Sequence, residues 1–513
     1  MALLDSIPCV ETVEAHRPWP RAIVHEDGWR EAIDHLVAGS CTLLGLWGDA
    51  PDVHAPDVHM ALLSAQAGDI AVISYRTEGG AYPSVGARHP PAIRLERAIR
   101  DLFGLEATGA PDTRPWLDLG FWCVCHPLGT KGAARQHAPY AFLPAEGEAL
   151  HQIAVGPVHA GIIEPGHFRF TANGEHVVRL EQRLGYVHKG IESLMAGASL
   201  DNAAKLACRT SGDSAVAYSY AFAQAAEAAL KVTVPPRALY LRALMAELER
   251  LANHFGDIGA ICNDASFSLM HAQCGILRER TLRAANACFG SRLMMDMIVP
   301  GGVSRDIVAE GIPQVQALLA EVHRVFPRLI DLYDNTASLQ DRTVTTGIVR
   351  RDYARQFGAG GYVGRACGRA FDARRTPGYA PYDALAFEVP VLVAGDVNAR
   401  VWIRIRECEQ SLALIDQILD SLPAGDTVTT IESGAGPGEG LDPTEGLGLA
   451  EAFRGDVLVW LRLDGDRRVA RCHLRDASWF QWPLLEAAIE GNIVADFPLC
   501  NKSFNCSYSG HDS

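Results

Sequence analysis

Two serine-bearing segments carry side chains that could do chemistry together. The first is Arg209-Thr210-Ser211-Gly212-Asp213-Ser214, and the second is Asn505-Cys506-Ser507-Tyr508-Ser509-Gly510. Serine hydroxyls are hard donors that stay protonated near neutral pH, so they hydrogen-bond well and hold soft transition metals poorly. Asp213 adds a carboxylate and Arg209 a fixed cation. A third segment, Glu164-Pro165-Gly166-His167, sets a carboxyl and an imidazole three residues apart. A carboxyl buried beside a redox site has a raised pKa and can shuttle protons, and a nearby histidine can extend the relay. The alternative is that both groups only fasten a hairpin to its neighbours. His159 and His188 read as structural histidines before relay members. Cys208, Cys500 and Cys506 flank the serine segments, but their spacing fits no ligand pattern, and buried structural thiols are expected.

The elements that must position these groups can be read from periodicity. Cys41–Asp49 and residues 69–76 read as strands, and residues 29–39 as a helix, so the stretch 1–125 forms an α/β unit. Residues 126–150, rich in Gly, Pro and Ala, read as a linker. Residues 168–186 form a hairpin around Asn173-Gly174. From about 190 the chain turns helical. Residues 215–230, 236–256 and 308–334 carry helical apolar stripes, and Pro236 is suited to a first turn. Residues 423–448 hold many Gly, Pro and acids and read as a mobile loop or insertion. Residues 456–474 read as a second hairpin, turning at Asp464-Gly465. The expected class is α+β: an N-terminal α/β domain over 1–125, then a mainly helical domain with β hairpins over 151–513.

Composition excludes several functions. Across 513 residues, 46 Lys and Arg against 61 Asp and Glu leave a net charge of −15. That balance argues against nucleic acid and against direct contact with an anionic bilayer. No apolar run reaches the roughly 18 residues of a membrane span, and the first residues lack the basic region of a secretory signal. Thirteen scattered cysteines suggest reduced thiols in the cytoplasm. Gly358-Ala359-Gly360-Gly361-Tyr362-Val363-Gly364 imitates a dinucleotide loop, but it follows a helical segment and lacks a βαβ setting.

Ordered motifs connect these pieces to known families. Glu96-Arg97, Asp101-Leu102-Phe103-Gly104 and Gly109-Ala110-Pro111-Asp112-Thr113-Arg114 resemble the signature of the thirty-kilodalton subunit of respiratory complex I, with Ala110 where histidine is usual. Gly156-Pro157-Val158-His159, Glu164 to Arg169, Leu184 to Glu192, Glu247-Leu248-Glu249-Arg250, Pro300-Gly301-Gly302-Val303 and Gly364-Arg365-Ala366-Cys367-Gly368 resemble the forty-nine-kilodalton subunit, as do Asp372, Arg374, Tyr379 and Arg454-Gly455. They also resemble the large subunit of membrane-bound, energy-converting nickel-iron hydrogenases. Both parts in one chain resemble the formate hydrogenlyase type.

In that family, Arg-x-Cys-Gly-x-Cys and Asp-Pro-Cys-x-x-Cys supply four cysteines to nickel and iron. Here those positions hold Ser211, Ser214, Ser507 and Gly510. The resemblance therefore implies a hydrogenase scaffold whose metal ligands are gone, with no cofactor bound by this chain. Hydrogenase large subunits commonly lose a C-terminal extension just after the last cysteine motif, and Ser513 follows Gly510 closely, so no processing is expected. The resemblance also implies a subunit of an NADH:quinone oxidoreductase- or hydrogenase-like complex at the inner face of the cell membrane. Its partners would be a small iron-sulfur subunit of the twenty-kilodalton complex I type and antiporter-like membrane-arm subunits. Glu164 and His167 would handle protons. Arg209, Ser211, Asp213 and Ser214 would line the vacated cavity, where a quinone could bind, although Tyr218 is a poor substitute for the family's quinone tyrosine. Nicotinamide would be handled by other subunits. A non-catalytic scaffold and an active hydrogenase stand as alternatives.

Overall fold

A computed structural model describes residues 3–51, 56–431 and 442–512. The fold is α+β. In the N-terminal part, the apolar runs read as strands form one five-stranded sheet. Its order is Glu11–Thr12, Arg21–Val24, Ile70–Arg76, Asp57–Ser64 and Cys41–Asp49. Only the Arg21–Val24/Ile70–Arg76 pair is parallel. Helices Glu26–Val37 and Ile93–Phe103 supply Trp29, Ile33, Leu36, Ile99 and Phe103 to the core.

The signature residues of the thirty-kilodalton type turn out to be clamps around the second helix. Glu96 accepts from Ser84 Oγ (2.8 Å) and Val85 N (2.6 Å). Arg97 donates to Asp112, Arg114 O, Pro115 O and Tyr140 Oη. Asp101 Oδ2 gathers the amides of Trp116, Leu117 and Asp118. The 126–150 stretch is tied to this unit through Arg135–Asp101 and Tyr140–Arg97.

Beyond it, Leu150–Val155, His167–Asn173 and His176–Arg183 form an antiparallel sheet. The hairpin turns at Gly174-Glu175, one residue later than the sequence suggests. Gly174 takes φ +58°, which a glycine in the first loop position provides.

The helical part is built on Ala215–Leu230, Pro236–Asp264, Ser268–Phe289, Gly311–Asp334 and Val397–Ser421. The second hairpin is larger than expected. Gly455–Leu463 and Val469–Arg475 are joined by a further strand, Thr444–Ala452, which begins inside the stretch read as loop. Residues 432–441 of that stretch lie outside the described residues, and Thr427 and Thr429 hydrogen-bond to Val303 and Gly301. The strand lies against the Ala-rich helix. A Cβ at Gly446 would fall 1.8 Å from Ala225 O, and one at Gly448 would fall 2.0 Å from Ala221 O. Glycine in the strand and alanine in the helix are therefore two halves of one close contact.

This sheet also joins the two parts of the chain. His16–Arg17 pairs with it in parallel at Glu445 and Gly446. Trp47 packs on Trp460 with ring centres 5.7 Å apart. Among the described residues, no helix is long and apolar enough to cross a membrane.

Candidate functional site

Residues 209–214 form the turn between helices Leu200–Cys208 and Ala215–Leu230. Residues 505–512 follow helix Phe497–Phe504, after which Asn505 takes φ +42° and redirects the chain. The two turns meet. Ser211 Oγ and Ser507 Oγ are 3.1 Å apart. Ser507 Oγ also accepts from Gly510 N at 2.9 Å and so caps the last helical turn. Ser211 Oγ donates to Asp213 Oδ1 at 2.8 Å.

Arg454, at the turn between strands Thr444–Ala452 and Gly455–Leu463, closes the group. It donates to Asp213 Oδ1 (2.8 Å) and Oδ2 (2.5 Å), to Ser214 Oγ (3.3 Å) and to Asn505 O. Burial alone would raise the Asp213 pKa, but Arg454 and the Ser211 hydroxyl hold it below the usual carboxylate range.

The fourth position is occupied differently. A Cβ on Gly510 would meet Asp476 Oδ2 at 2.7 Å and Ser507 Oγ at 2.9 Å. Asp476 is fixed from both sides: Tyr218 Oη donates to Oδ2 (2.9 Å) and Ser478 N to Oδ1 (2.8 Å). Ser478 Oγ in turn accepts from Ser507 N at 2.8 Å. Ser211, Ser214, Ser507 and Gly510 are thus brought together, every one of them at the centre of a hydrogen-bonded cluster of serines, Asp213, Arg454 and Asp476.

The other sequence candidates divide. Glu164 is exposed rather than buried; it accepts from Ser509 N at 3.1 Å and touches the cluster's edge. Gly166 permits this approach, since a Cβ there would lie 2.6 Å from the Tyr508 ring. His167 is turned elsewhere. Its Nδ1 faces Gly156 O at 3.2 Å and its Nε2 accepts from Arg169 Nε at 3.3 Å, a pattern of the neutral ring. Burial and the Arg169 charge lower its pKa accordingly. No hydrogen bond joins Glu164 to His167.

Arg209 does not line the cluster. Its exposed guanidinium makes a two-pronged pair with Asp296 and also reaches Lys205 O. The arginine at the serines is Arg454. His159 bonds Gly166 O, and His188 bonds Asp512 O and stacks on Trp122. Cys208, Cys500 and Cys506 are buried, and burial raises each thiol's pKa. Among the described residues, no three His, Cys, Asp or Glu side chains are grouped to hold a metal.

Sequence reasoning missed Asp476 and Glu249. Nothing in the sequence around Asp476 marks it. Glu249 lies within Glu247-Leu248-Glu249-Arg250 and lines a cavity of about 190 Å³ that opens beside Gly212 and Asp213.

The other family-like motifs form a buried charge network behind the cluster. Arg365 pairs with Asp372, Glu407 and Glu451, while Arg374 pairs with Asp372 and Glu247. Glu451 lies three residues before Arg454, so the network anchors the strand end that delivers Arg454.

Comparison with known proteins matches these features. Residues 22–137 match the family described as the 30 Kd subunit of respiratory-chain NADH dehydrogenase. Residues 265–438 and 437–513 match its 49 Kd subunit. Formate hydrogenlyase subunit 5 of Escherichia coli (strain K12) is 31% identical, over 88% of this chain and 81% of that one. The chain belongs to this family, with units of both kinds fused. Hydrogenase-4 component G of the same organism is 32% identical over 84% of the chain and 76% of its own length. An NADH-quinone oxidoreductase subunit of Roseiflexus sp. (strain RS-1) is 32% identical over 67% and 94%. Among solved structures, a chain of the membrane-bound sulfane sulfur reductase, an archaeal respiratory membrane complex, superposes with a TM-score of 0.67. It is 25% identical, over 71% of this chain and 99% of that one. By their names, these relatives are components of hydrogenase, quinone oxidoreductase and sulfur reductase complexes.

Proposed function

We propose that this chain is a peripheral-arm subunit of a complex I-like, hydrogenase-related membrane oxidoreductase. It couples electron arrival from a small iron-sulfur partner to proton or ion movement through membrane-arm subunits, and it does so without a nickel-iron centre of its own. The observation that carries the last point is the Ser211–Ser507 contact at 3.1 Å, enclosed by Arg454–Asp213. The donors at the four positions do not fit nickel and iron. Three are hydroxyls already engaged in hydrogen bonds, and the fourth is a glycine with the Asp476 carboxylate against it. Soft thiolates are what such a centre requires, and outer groups cannot stand in for them.

The family membership supports the oxidoreductase assignment, and the relatives' names support the membrane complex. Glu164, on the edge of the cluster, is one proton-handling group in this reading, while His167 supports the hairpin that carries it. A quinone acceptor would enter beside Gly212, where the cavity opens. Tyr218 is not free to hold it, because its hydroxyl is committed to Asp476.

The test is the nickel and iron content of the complex purified from its native host with partners attached. Iron without nickel is expected. Stoichiometric nickel would refute the reading and restore hydrogenase chemistry. A scaffold role is the second reading, favoured by how completely the cluster satisfies its own hydrogen bonds. Reduction of quinone or another acceptor by the complex separates the two.

A further inference from the structure

Glu249 differs from four other buried acids near the site. Asp213, Glu247, Asp372 and Glu407 each face an arginine at ion-pair distance. Glu249 is 8% exposed and has no ion-pair partner among the described residues; it accepts only from Val216 N (2.7 Å) and Ala217 N (3.2 Å), in the first turn of helix Ala215–Leu230. It also faces the cavity beside Gly212, whose polar lining is Asp213, Asn253, Arg278 and Arg292. Asn253 ties the two acidic segments together by donating to Asp213 O and Glu249 O.

The charges around Glu249 come from four elements. Asp213 faces it from the 209–214 turn, and Arg250 adjoins it on its own helix but turns to Ala452 O and Glu451 O. Arg278 comes from the Ser268–Phe289 helix, and Arg292 follows that helix and is held by Glu279. Burial pushes the Glu249 carboxyl up to about 8, and Asp213 pushes the same way against the two amides and Arg250. A group of that proton affinity changes state near neutral pH when the charge beside it changes.

We propose that Glu249 is the proton-exchange site of the serine–aspartate–arginine cluster, binding a proton through the cavity beside Gly212 when negative charge reaches the cluster and releasing it when that charge leaves. The coupling to electron arrival rests on the function proposed above. The proton moves between a carboxyl oxygen of Glu249 and water in the cavity, and the two helix amides hold the carboxylate once the proton has gone.

The experiment is a pH titration of the intact complex by infrared difference spectroscopy, following the carbonyl band of a protonated carboxyl. A band is expected in the wild type that is lost on raising pH through about 8. It should shift in deuterated water and be absent in Glu249→Gln, which keeps the amide contacts. Asp213→Asn should lower its midpoint by about one pH unit, and Arg454→Met should raise it by about as much, the effect of one charge at moderate distance. If Arg454→Met does not assemble, Asp213→Asn decides alone. A titration identical in wild type and Glu249→Gln, or a midpoint unmoved by Asp213→Asn, overturns the proposal. The readout needs no turnover, so a complex that reduces no acceptor would refute the electron-transfer reading while this titration stood or fell separately.

Discussion

Gly510→Ala is a sharp test of the site's packing, because it adds one methyl group at the most crowded position of the cluster. The new Cβ would lie 2.7 Å from Asp476 Oδ2 and 2.9 Å from both Asp476 Cγ and Ser507 Oγ. Atoms do not settle at such distances, so one partner must move. Asp476 cannot yield freely, since Tyr218 Oη and Ser478 N hold its two oxygens. Ser507 is held by the Gly510 amide and Ser211. Overpacking of this kind costs about 1–3 kcal/mol, and losing one hydrogen bond to a charged group adds about 1.5–3 kcal/mol. The expected local destabilisation is therefore about 2.5–6 kcal/mol. A chain of this length does not unfold in one step, so amide hydrogen exchange of residues 505–512 is the suitable assay. Exchange there should accelerate by about 70-fold to about 20,000-fold, while the N-terminal sheet is unaffected. In an Asp476→Ala background the same substitution should cost clearly less, because only Ser507 Oγ then remains in its way. Unchanged exchange in the single variant, or an equal cost in both backgrounds, would refute the packing argument. It would also reopen room for a side chain, and so for a ligand, at position 510.

Three further outcomes are expected. Burial pushes the Glu96 carboxyl up from 4.5 to about 7, so the folded state binds its proton more tightly than the unfolded chain does. Stability from that proton is present below about pH 4.5 and is lost as pH rises through 7, by about 3 kcal/mol. Thermal unfolding of Glu96→Gln should show a smaller loss between pH 5 and pH 8 than the wild type. Tyr218→Phe leaves a buried Asp476 oxygen without its donor and should cost about 1.5–3 kcal/mol, read as faster exchange in helix Ala215–Leu230; no change would mean that the bond contributes nothing. Gly448→Val would drive a side chain into Ala221 O and should lower the melting temperature sharply or abolish soluble expression, since backbone cannot move aside as a side chain can.

Which elements were legible in the sequence follows from where their partners come from. Cys41–Asp49 and Ala215–Leu230 were readable because their own residue types specify them. Thr444–Ala452 was not. Its sequence, Thr-Glu-Gly-Leu-Gly-Leu-Ala-Glu-Ala, looks like a polar glycine loop. Yet Gly446 and Gly448 make room for a helix far earlier in the chain, Glu445 is neutralised by Arg21, and Glu451 by Arg365. The features that argue for loop are those that long-range packing demands.

The same logic governs the site. The serine turns were legible as segments, but the arginine that serves them was not, because Arg209 is adjacent in sequence while Arg454 is delivered by a strand end. Glu-Leu-Glu-Arg invites a single salt-bridge reading, but residues two apart on a helix point about 200° from each other. Glu247 consequently faces Arg374, Tyr382 and Ser411 inside the charge network, whereas Glu249 faces amides and a cavity. One tetrapeptide thus supplies both a locked anion and a carboxyl free to titrate, and only the second can answer a change of charge at the serines.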